Sequence, residues 1–269
     1  MAISDISLTA GMRNNLVSLQ QTVDLLNRTQ TRLSTGRKVN GPLDDPINYF
    51  AAQSHMQRAS DLAMRKDGMN EGIQALKAAD AGIKAITSLV QQAKSLITAA
   101  RTAGTTEAGD LETQYDEIRT QIDNLSSDSG YKGVNLLGGD DLTVEFNEDG
   151  SNTISVTGFD ATVTGLTIAA AGDFTSSADL DTAVGQLDEA LTTLRSQSKT
   201  LSSNLSIITT RLDFTTNMIN TLQTGSDNLT LADMNEEGAN MLMLQTRQSL
   251  GTTSLSLAAQ AAQSILRLF

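Results

Sequence analysis

One long apolar seam sets the strongest constraint on how this chain folds. From Leu180 to Leu222 an apolar residue recurs in alternating steps of three and four, and only Ser198 and Thr215 interrupt the series. A repeat of about 3.5 residues keeps one face of a helix turned toward a partner helix along its whole length. The pattern therefore predicts a long helix that packs lengthwise against other helices.

Four further segments carry a similar signal. A second long helix is predicted between about residues 47 and 102, with a seam of Met69, Leu76, Ala79, Ile83, Ile86, Val90, Ala93 and Ile97. A shorter amphipathic helix is predicted from Leu111 to Leu125. The two ends of the chain carry the remaining seams, which are Met12, Leu16, Leu19, Val23, Leu26 and Leu33 at the start and Met241, Leu244, Leu255, Ala258, Ala262, Ile265 and Phe269 at the end.

The helical pattern stops at several places. Both prolines fall within Ser34–Pro46, and a non-helical connector is predicted there because proline lacks the amide hydrogen that a helix interior needs. Apolar and polar residues alternate at 142–146 and 154–156, which predicts a small β hairpin. We expect a turn at 104–109, a loop at 169–178 and a helix break at 225–228.

The order of these segments is roughly palindromic. The simplest packing sets the first helix against the last and the two long helices side by side. This predicts a mainly α fold, a long antiparallel coiled-coil bundle with a small β-hairpin region at the distal tip. We expect residues 1–44 and 226–269 to form one domain of terminal helices, and residues 45–179 and 180–225 to form a domain of long helices, with the β tip at about 131–168.

Charge and composition argue against several classes of function. A net charge of -12 would repel a phosphate backbone or an anionic membrane surface, and the lack of cysteine removes disulfides and thiolate metal sites. The sequence has neither a signal-peptide pattern nor an apolar run of about 18 residues. We therefore expect no nucleic-acid partner, no membrane insertion and, for an exported protein, export without a cleaved signal peptide.

Residues that could support catalysis or metal binding are few. His55 is the only histidine, so it lacks a second nitrogen ligand. Asp44 and Asp45 stand beside Pro46, where aspartate commonly caps the following helix. The glycines in 137–141 lack the spacing and the lysine of a phosphate loop. We expect no catalytic residues, no metal site and no cofactor.

The C-terminal helix is apolar on more than one face. From Gly238 to Phe269 only Arg247 and Arg267 are charged, and a second apolar stripe of Leu250, Leu257 and Leu268 lies beside the first. One stripe can face a helix of the same chain, but the other needs a further partner. That partner is either another molecule or the interior of a larger single-chain bundle.

Two long motifs stand near the two ends of the chain. The first is Arg32–Asn40 with Asp44–Pro46, and the second is Asn228–Glu237 with Leu244–Gly251 and Leu255–Phe269. These motifs resemble those of the bacterial flagellins, the subunits of the flagellar filament. The resemblance covers roughly residues 1–137 and 180–269 and implies a short form without extra outer domains. It implies an extracellular structural subunit, not an enzyme, that polymerises into the helical tube used for swimming. In that family the terminal helices line the inner wall of the tube and the long helices form its shell.

The resemblance also implies which residues and partners matter. The implied assembly interface is Leu16, Leu19, Val23, Leu26, Arg32, Leu33, Met241, Leu244, Leu250, Leu255, Leu257, Ile265, Leu268 and Phe269. The implied connector residues are Gly36, Asn40, Asp44, Asp45 and Pro46. The positions matching the family's contacts with an innate immune receptor are Gln92, Leu96 and Glu117, and Gln92 replaces an arginine. Implied partners are other copies of the chain, the flagellar export apparatus with an export chaperone, and the hook-associated and cap proteins.

Two alternatives remain at this point. A hook-filament junction protein of the flagellum has similar ends. A coiled-coil signalling module, such as the cytoplasmic part of a chemoreceptor, would account for the heptads but not for the β region.

Overall fold

Five helices and one hairpin form the part of the chain that the structure describes. The structure is a computed structural model. It describes residues 10–170 and 172–266, apart from the side chains of Ala262, Ile265 and Leu266. The helices are α1 (Ala10–Thr35), α2 (Pro46–Ala100), α3 (Thr105–Asp128), α4 (Ser177–Thr230) and α5 (Met234–Leu266). Strands β1 (Leu142–Glu145) and β2 (Thr153–Val156) pair antiparallel. The predicted mainly α fold with a small hairpin is confirmed.

The chain divides into two compact units. The end unit consists of the described residues within Met1–Gln57 and Leu222–Phe269, and the central unit is Arg58–Thr221. Both boundaries fall inside long helices, because α2 begins at Pro46 and α4 ends at Thr230. Each of these two helices therefore contributes residues to both units.

The central unit holds the main apolar core. All eight seam residues of α2 are at most 2% exposed, and Leu187, Leu194 and Ile208 of α4 are as well buried. Polar contacts fix the direction of the two helices, since Lys94 Nζ lies 2.5 Å from Asp188 Oδ1 and the Ser198 hydroxyl donates to Asp80 Oδ1 at 3.0 Å. From the Lys94–Asp188 contact to the Asp80–Ser198 contact, residue numbers fall along α2 and rise along α4. The predicted antiparallel packing of these two helices is therefore confirmed.

Helix α3 runs back along α2. A Cβ atom at Gly82 would lie 2.3 Å from the Ser129 hydroxyl oxygen, so the missing side chain allows α2 and the end of α3 to approach closely. The segment after the hairpin then returns along α3, where the buried Tyr115 hydroxyl donates to the Ala169 carbonyl at 3.2 Å. Burial raises the pKa of Tyr115 to about 12. This return path brings the chain to the start of α4.

The hairpin occupies a different place from the one predicted. Arg58 Nε lies 2.6 Å from Glu148 Oε1, and a Cβ atom at Gly72 would lie 2.7 Å from Val144 Cγ2. The hairpin is therefore beside the first half of α2, not at the tip where α2 ends and α4 begins. The alternating pattern that predicts strands carries no information about which stretch of a long helix they pack against.

Two predicted interruptions differ from the structure. Helix α4 continues through 225–228 without a break. The break between α2 and α3 lies between Ala100 and Thr105, earlier than the predicted turn at 104–109, so Gly109 is helical. Within α4, Ser226 is buried and its carbonyl accepts a bond from the Thr230 hydroxyl at 3.0 Å. Packing and local hydrogen bonds outweigh the weak helix preference of Gly, Ser and Asn at these sites.

Candidate assembly surface

Helices α1 and α5 pack against each other in the end unit. On α5, Leu244 is 5% exposed and Met241 and Leu255 are half-buried. A Cβ atom at Gly251 would lie 3.1 Å from Leu19 Cδ1, which shows how closely the two helices approach there. The predicted pairing of the first helix with the last is confirmed.

Helix α1 buries less leucine surface than its heptads suggest. Its buried residues are Thr22 and Thr29, and the Thr22 hydroxyl donates to the Ser18 carbonyl at 2.8 Å, so that hydroxyl is satisfied within its own helix. The predicted seam residues are half-buried, except for the exposed Leu16; they are Leu16, Leu19, Val23, Leu26 and Leu33. Much of their apolar surface is left uncovered in the single subunit.

An ion pair joins the two terminal helices. Arg32 Nη1 donates to Glu237 Oε1 at 2.7 Å, and the two side chains are 25% and 9% exposed. Arg32 lies in the last turn of α1 and Glu237 in the first turn of α5, so each charge also opposes the partial charge of its helix end. The sequence singled out Arg32 but missed Glu237, although both belong to the two terminal motifs.

A second apolar stripe runs along the exposed side of α5. Met243, Leu250 and Leu257 are spaced seven residues apart and are 52%, 64% and 62% exposed. Leu250 and Leu257 were expected there. Met243 was missed although the same heptad spacing points to it. The side chain of Ile265, together with Leu268 and Phe269, lies outside the described residues.

Exposed apolar surface is concentrated in the end unit. Among the described residues, all but three of the exposed large apolar side chains belong to this unit, and the three exceptions are Met64, Ile207 and Phe214. The same unit has few buried apolar residues in the described part of the chain, namely Val39, Ala52, Leu222 and Leu244. A unit with little core and much exposed apolar surface is typical of a part that is completed by a partner.

The connector after α1 pairs with the segment between α4 and α5. Gly36 ends α1 at a φ of +70°, and its amide donates to the Arg32 carbonyl at 2.8 Å. The Lys38 amide then donates to the Thr230 carbonyl at 2.8 Å, and the Ala232 amide donates to the Gly36 carbonyl at 3.0 Å. These bonds hold both connecting segments of the end unit together.

The acidic pair in the connector caps backbone amides. Asp45 Oδ1 accepts the Asn48 amide at 3.0 Å and so caps α2, whose first residue is Pro46. Asp44 Oδ2 accepts the amides of Asn40 and Gly41 at 2.9 and 3.3 Å. The Asn40 amide is the main cause that lowers the pKa of Asp44 below its usual value. The two carboxylates therefore stabilise the bend that starts α2.

The candidate receptor positions lie on α2 and α3 of the central unit. Gln92 and Glu117 are exposed, and Leu96 is half-buried. Gln92 and Leu96 lie one turn apart on α2, and Glu117 lies on α3, which runs antiparallel to α2. Their role as receptor contacts remains a prediction.

In residues 10–170 and 172–266 no group of three or more His, Asp or Glu side chains is placed to hold a metal ion. His55 is half-buried, next to Gly225. No helix in that part of the chain is both long and apolar enough to cross a bilayer.

Two family profiles match the chain. Residues 6–141 match the family described as "Bacterial flagellin N-terminal helical region", and residues 184–269 match the "Bacterial flagellin C-terminal helical region". The first match includes α1, α2 and α3, and the second includes most of α4 and all of α5.

Individual relatives extend this similarity to the whole chain. Flagellin FljM of Caulobacter vibrioides is 30% identical over 273 residues, with 100% of both chains covered. The flagellin of Brucella melitensis is 32% identical and covers 94% of this chain and 95% of its own. The flagellin of Escherichia coli K12 is 28% identical, over 61% of this chain but only 33% of its own length. The crystal structure of Bacillus cereus flagellin aligns with 55% of this chain and 88% of its own, at 19% identity and a TM-score of 0.49.

Proposed function

This chain belongs to the bacterial flagellins, and we propose that its copies polymerise through the paired terminal helices α1 and α5. It is a subunit of the flagellar filament, the polymer that drives swimming. It has the layout of a short form, because only residues 142–183 lie between the two matched family regions. No observation favours the hook-filament junction protein or the signalling module.

The two-sided character of α5 is the observation that supports this assembly surface most directly. One side of α5 packs on α1, while Met243, Leu250 and Leu257 remain in water in the single subunit. Removing apolar surface from water contributes about 25 cal/mol per Å². In a polymer the same contact recurs at every subunit, so a stripe of this size stabilises the whole filament.

The two units suit different places in the tube. We propose that the end unit, with the terminal helices of 1–44 and 226–269, lines the inner wall, and that the long helices of 45–225 form the shell. The central unit has a core of its own, with Met69, Ile86 and Leu194 fully buried. The end unit has little buried apolar surface in its described residues, so neighbouring copies would complete it.

Deletion of Leu250–Phe269 from the full chain tests this proposal. The deletion removes Leu250 and Leu257, two of the three exposed stripe residues on α5, but none of the central core. We expect loss of seeded filament growth under electron microscopy, with the thermal unfolding of the central unit unchanged. A truncated protein that still forms filaments would overturn the proposal, and so would one whose central unit unfolds with the deletion.

Location, export and partners are further parts of the proposal. We propose that the protein acts outside the cell in a purely structural, non-enzymatic role. We also propose that the flagellar export apparatus secretes it without cleavage of a signal peptide, with the help of a chaperone. Hook-associated and cap proteins would contact the two ends of the polymer.

Weak detection by an innate immune receptor is a separate proposal. The exposed Gln92 carries no charge at a position where the family has arginine. Loss of a forked cationic donor from the centre of an interface typically costs about 2 kcal/mol or more, which is over tenfold in affinity. Gln92→Arg should therefore raise potency in a receptor reporter-cell assay, while Gln91→Arg serves as the matched control. Equal potency of both variants and the native protein would refute the assignment.

A further inference from the structure

Charge is unevenly distributed over the central unit. Helix α3 carries seven carboxylates and a single cation, Arg119. Asp110 and Glu117 are both exposed and lie seven residues apart, so they share one face of α3. The outer side of this helix is therefore a strongly acidic surface.

A groove between α2 and α4 has the opposite character. It encloses about 470 Å³ above the buried Ile83 and Leu194, and its rim carries Lys84, Arg195 and Lys199. Asp80 lies 2.6 Å from Lys84, so that lysine is already paired. Arg195 and Lys199 are exposed and form no ion pair with any residue that the structure describes. The groove thus presents two unpaired cations over an apolar floor.

The acidic surface and the groove cannot meet within one subunit. Helix α3 packs on the flank of α2 that contains Gly82, whereas Asp80, Thr87 and Lys94 lie on the flank that faces α4. The two flanks are on opposite sides of the α2 seam. Asp80 of the same subunit is already engaged by Lys84 and Ser198, and any α3 carboxylate that pairs with Arg195 and Lys199 must come from another molecule.

We propose that the groove between α2 and α4 is the docking site for helix α3 of a neighbouring copy in the filament. The proposal rests on the assignment of the chain as a filament subunit and adds which faces of the central unit meet. The acidic surface of α3 is opposite in charge to the two unpaired cations of the groove, Arg195 and Lys199. The contact joins two different surfaces, so it leaves one face free on each subunit and can repeat along a helical polymer. Because copies with a net charge of -12 repel one another, local complementarity orients them on approach.

Charge reversal in the full-length chain tests the pairing. The groove variant is Arg195→Glu with Lys199→Glu, and the α3 variant is Asp110→Lys with Glu117→Lys. The combined variant carries all four substitutions and has the net charge of the native protein. At low ionic strength each two-site variant should elongate seeds about tenfold more slowly or worse, and the combined variant should return to within about twofold of native.

Asp67→Lys with Asp213→Lys is the matched control for the α3 variant, because it makes the same change in net charge at exposed positions outside α3. Circular dichroism of each monomer verifies that it is folded. A two-site variant that elongates at the native rate would overturn the proposal, as would a combined variant that does not recover or a control that is as slow as the α3 variant. Failure of the native protein to form filaments would instead overturn the assembly function itself.

Discussion

Leu257 offers the sharpest test of the apolar stripe on α5. It is 62% exposed in the subunit, so its side chain contributes little to the stability of the monomer. A neighbouring subunit that covers the stripe would remove this surface from water. We therefore predict that Leu257→Ala weakens assembly and that Leu257→Asp abolishes it, while both leave the monomer unchanged.

The expected size of the effect follows from the exposed fraction. Full burial of a leucine side chain contributes about 1.5–3 kcal/mol, so covering the exposed part of Leu257 contributes about 1–2 kcal/mol. Each 1.4 kcal/mol changes an equilibrium constant about tenfold, so Leu257→Ala should raise the critical concentration for filament growth by about that factor. An aspartate would add about 2 kcal/mol or more for burying an unpaired charge, which raises the effect to several hundredfold.

Sedimentation of filaments at a series of subunit concentrations measures the critical concentration. Ser256→Asp is the matched control, because it places the same charge at the adjacent exposed position beside the stripe. Thermal unfolding of the monomer should stay within about 0.5 kcal/mol of native for all three variants. The reasoning is refuted if Leu257→Asp polymerises at the native critical concentration, or if it assembles no worse than Ser256→Asp.

Three further perturbations probe the fold and the connector. Gly82→Ala should destabilise the central unit by about 1–3 kcal/mol in urea unfolding, because the new Cβ would overlap the end of α3. Gly109 has open space around it, so Gly109→Ala should stabilise α3 by about 0.5–1 kcal/mol. Equal effects of the two substitutions would contradict the packing of α2 against α3. Arg32→Ala should weaken assembly by about 2 kcal/mol, because it leaves the Glu237 carboxylate buried and unpaired. Replacing both Arg32 and Glu237 by Met should recover most of that free energy. No recovery in the double variant would argue against a role of this ion pair. The carboxylate of Asp44 has a lowered pKa, so it stabilises the connector at pH values above 3.8, its usual pKa, and this contribution should be lost as the pH falls through the lower folded-state pKa. Protection of the Asn40 and Gly41 amides from hydrogen exchange, measured relative to the intrinsic rate at each pH, should fall, and unchanged protection would contradict this.

Local periodicity was sufficient to predict the central core. Each of the eight α2 seam residues is buried, and so are Leu187 and Leu194 of α4. A heptad seam repeats every two helical turns, so its apolar face must be buried against a partner helix, and this holds whichever helix the partner is. The same repetition explains why the position of the hairpin was not predictable. Heptads look alike at every offset, and only specific contacts such as Val144 against Gly72 decide where along α2 the hairpin packs.

The candidate assembly surface was only partly predictable. The scarcity of charge after Gly238 indicated two apolar faces on α5, and the structure places Leu250 and Leu257 on the exposed one. Periodicity could not show that α1 presents Thr22 at its buried seam, because a threonine whose hydroxyl bonds within its own helix packs much like a small apolar residue. Nor could it show that Arg32 pairs with Glu237, since ion pairs between distant segments leave no periodic signal.

The two proposed contacts respond oppositely to salt. Screening weakens the repulsion between copies that each carry a net charge of -12, which favours covering the α5 stripe. The same screening weakens the attraction between α3 and the cations Arg195 and Lys199. Elongation of the native protein should therefore rise and then fall as ionic strength increases. The combined charge-swap variant keeps both contacts and should show the same maximum, whereas the two-site groove variant has only repulsion to screen and should rise steadily. A steady rise for the native protein would mean that the groove contact contributes nothing to elongation, and the apolar stripe alone would then determine the affinity.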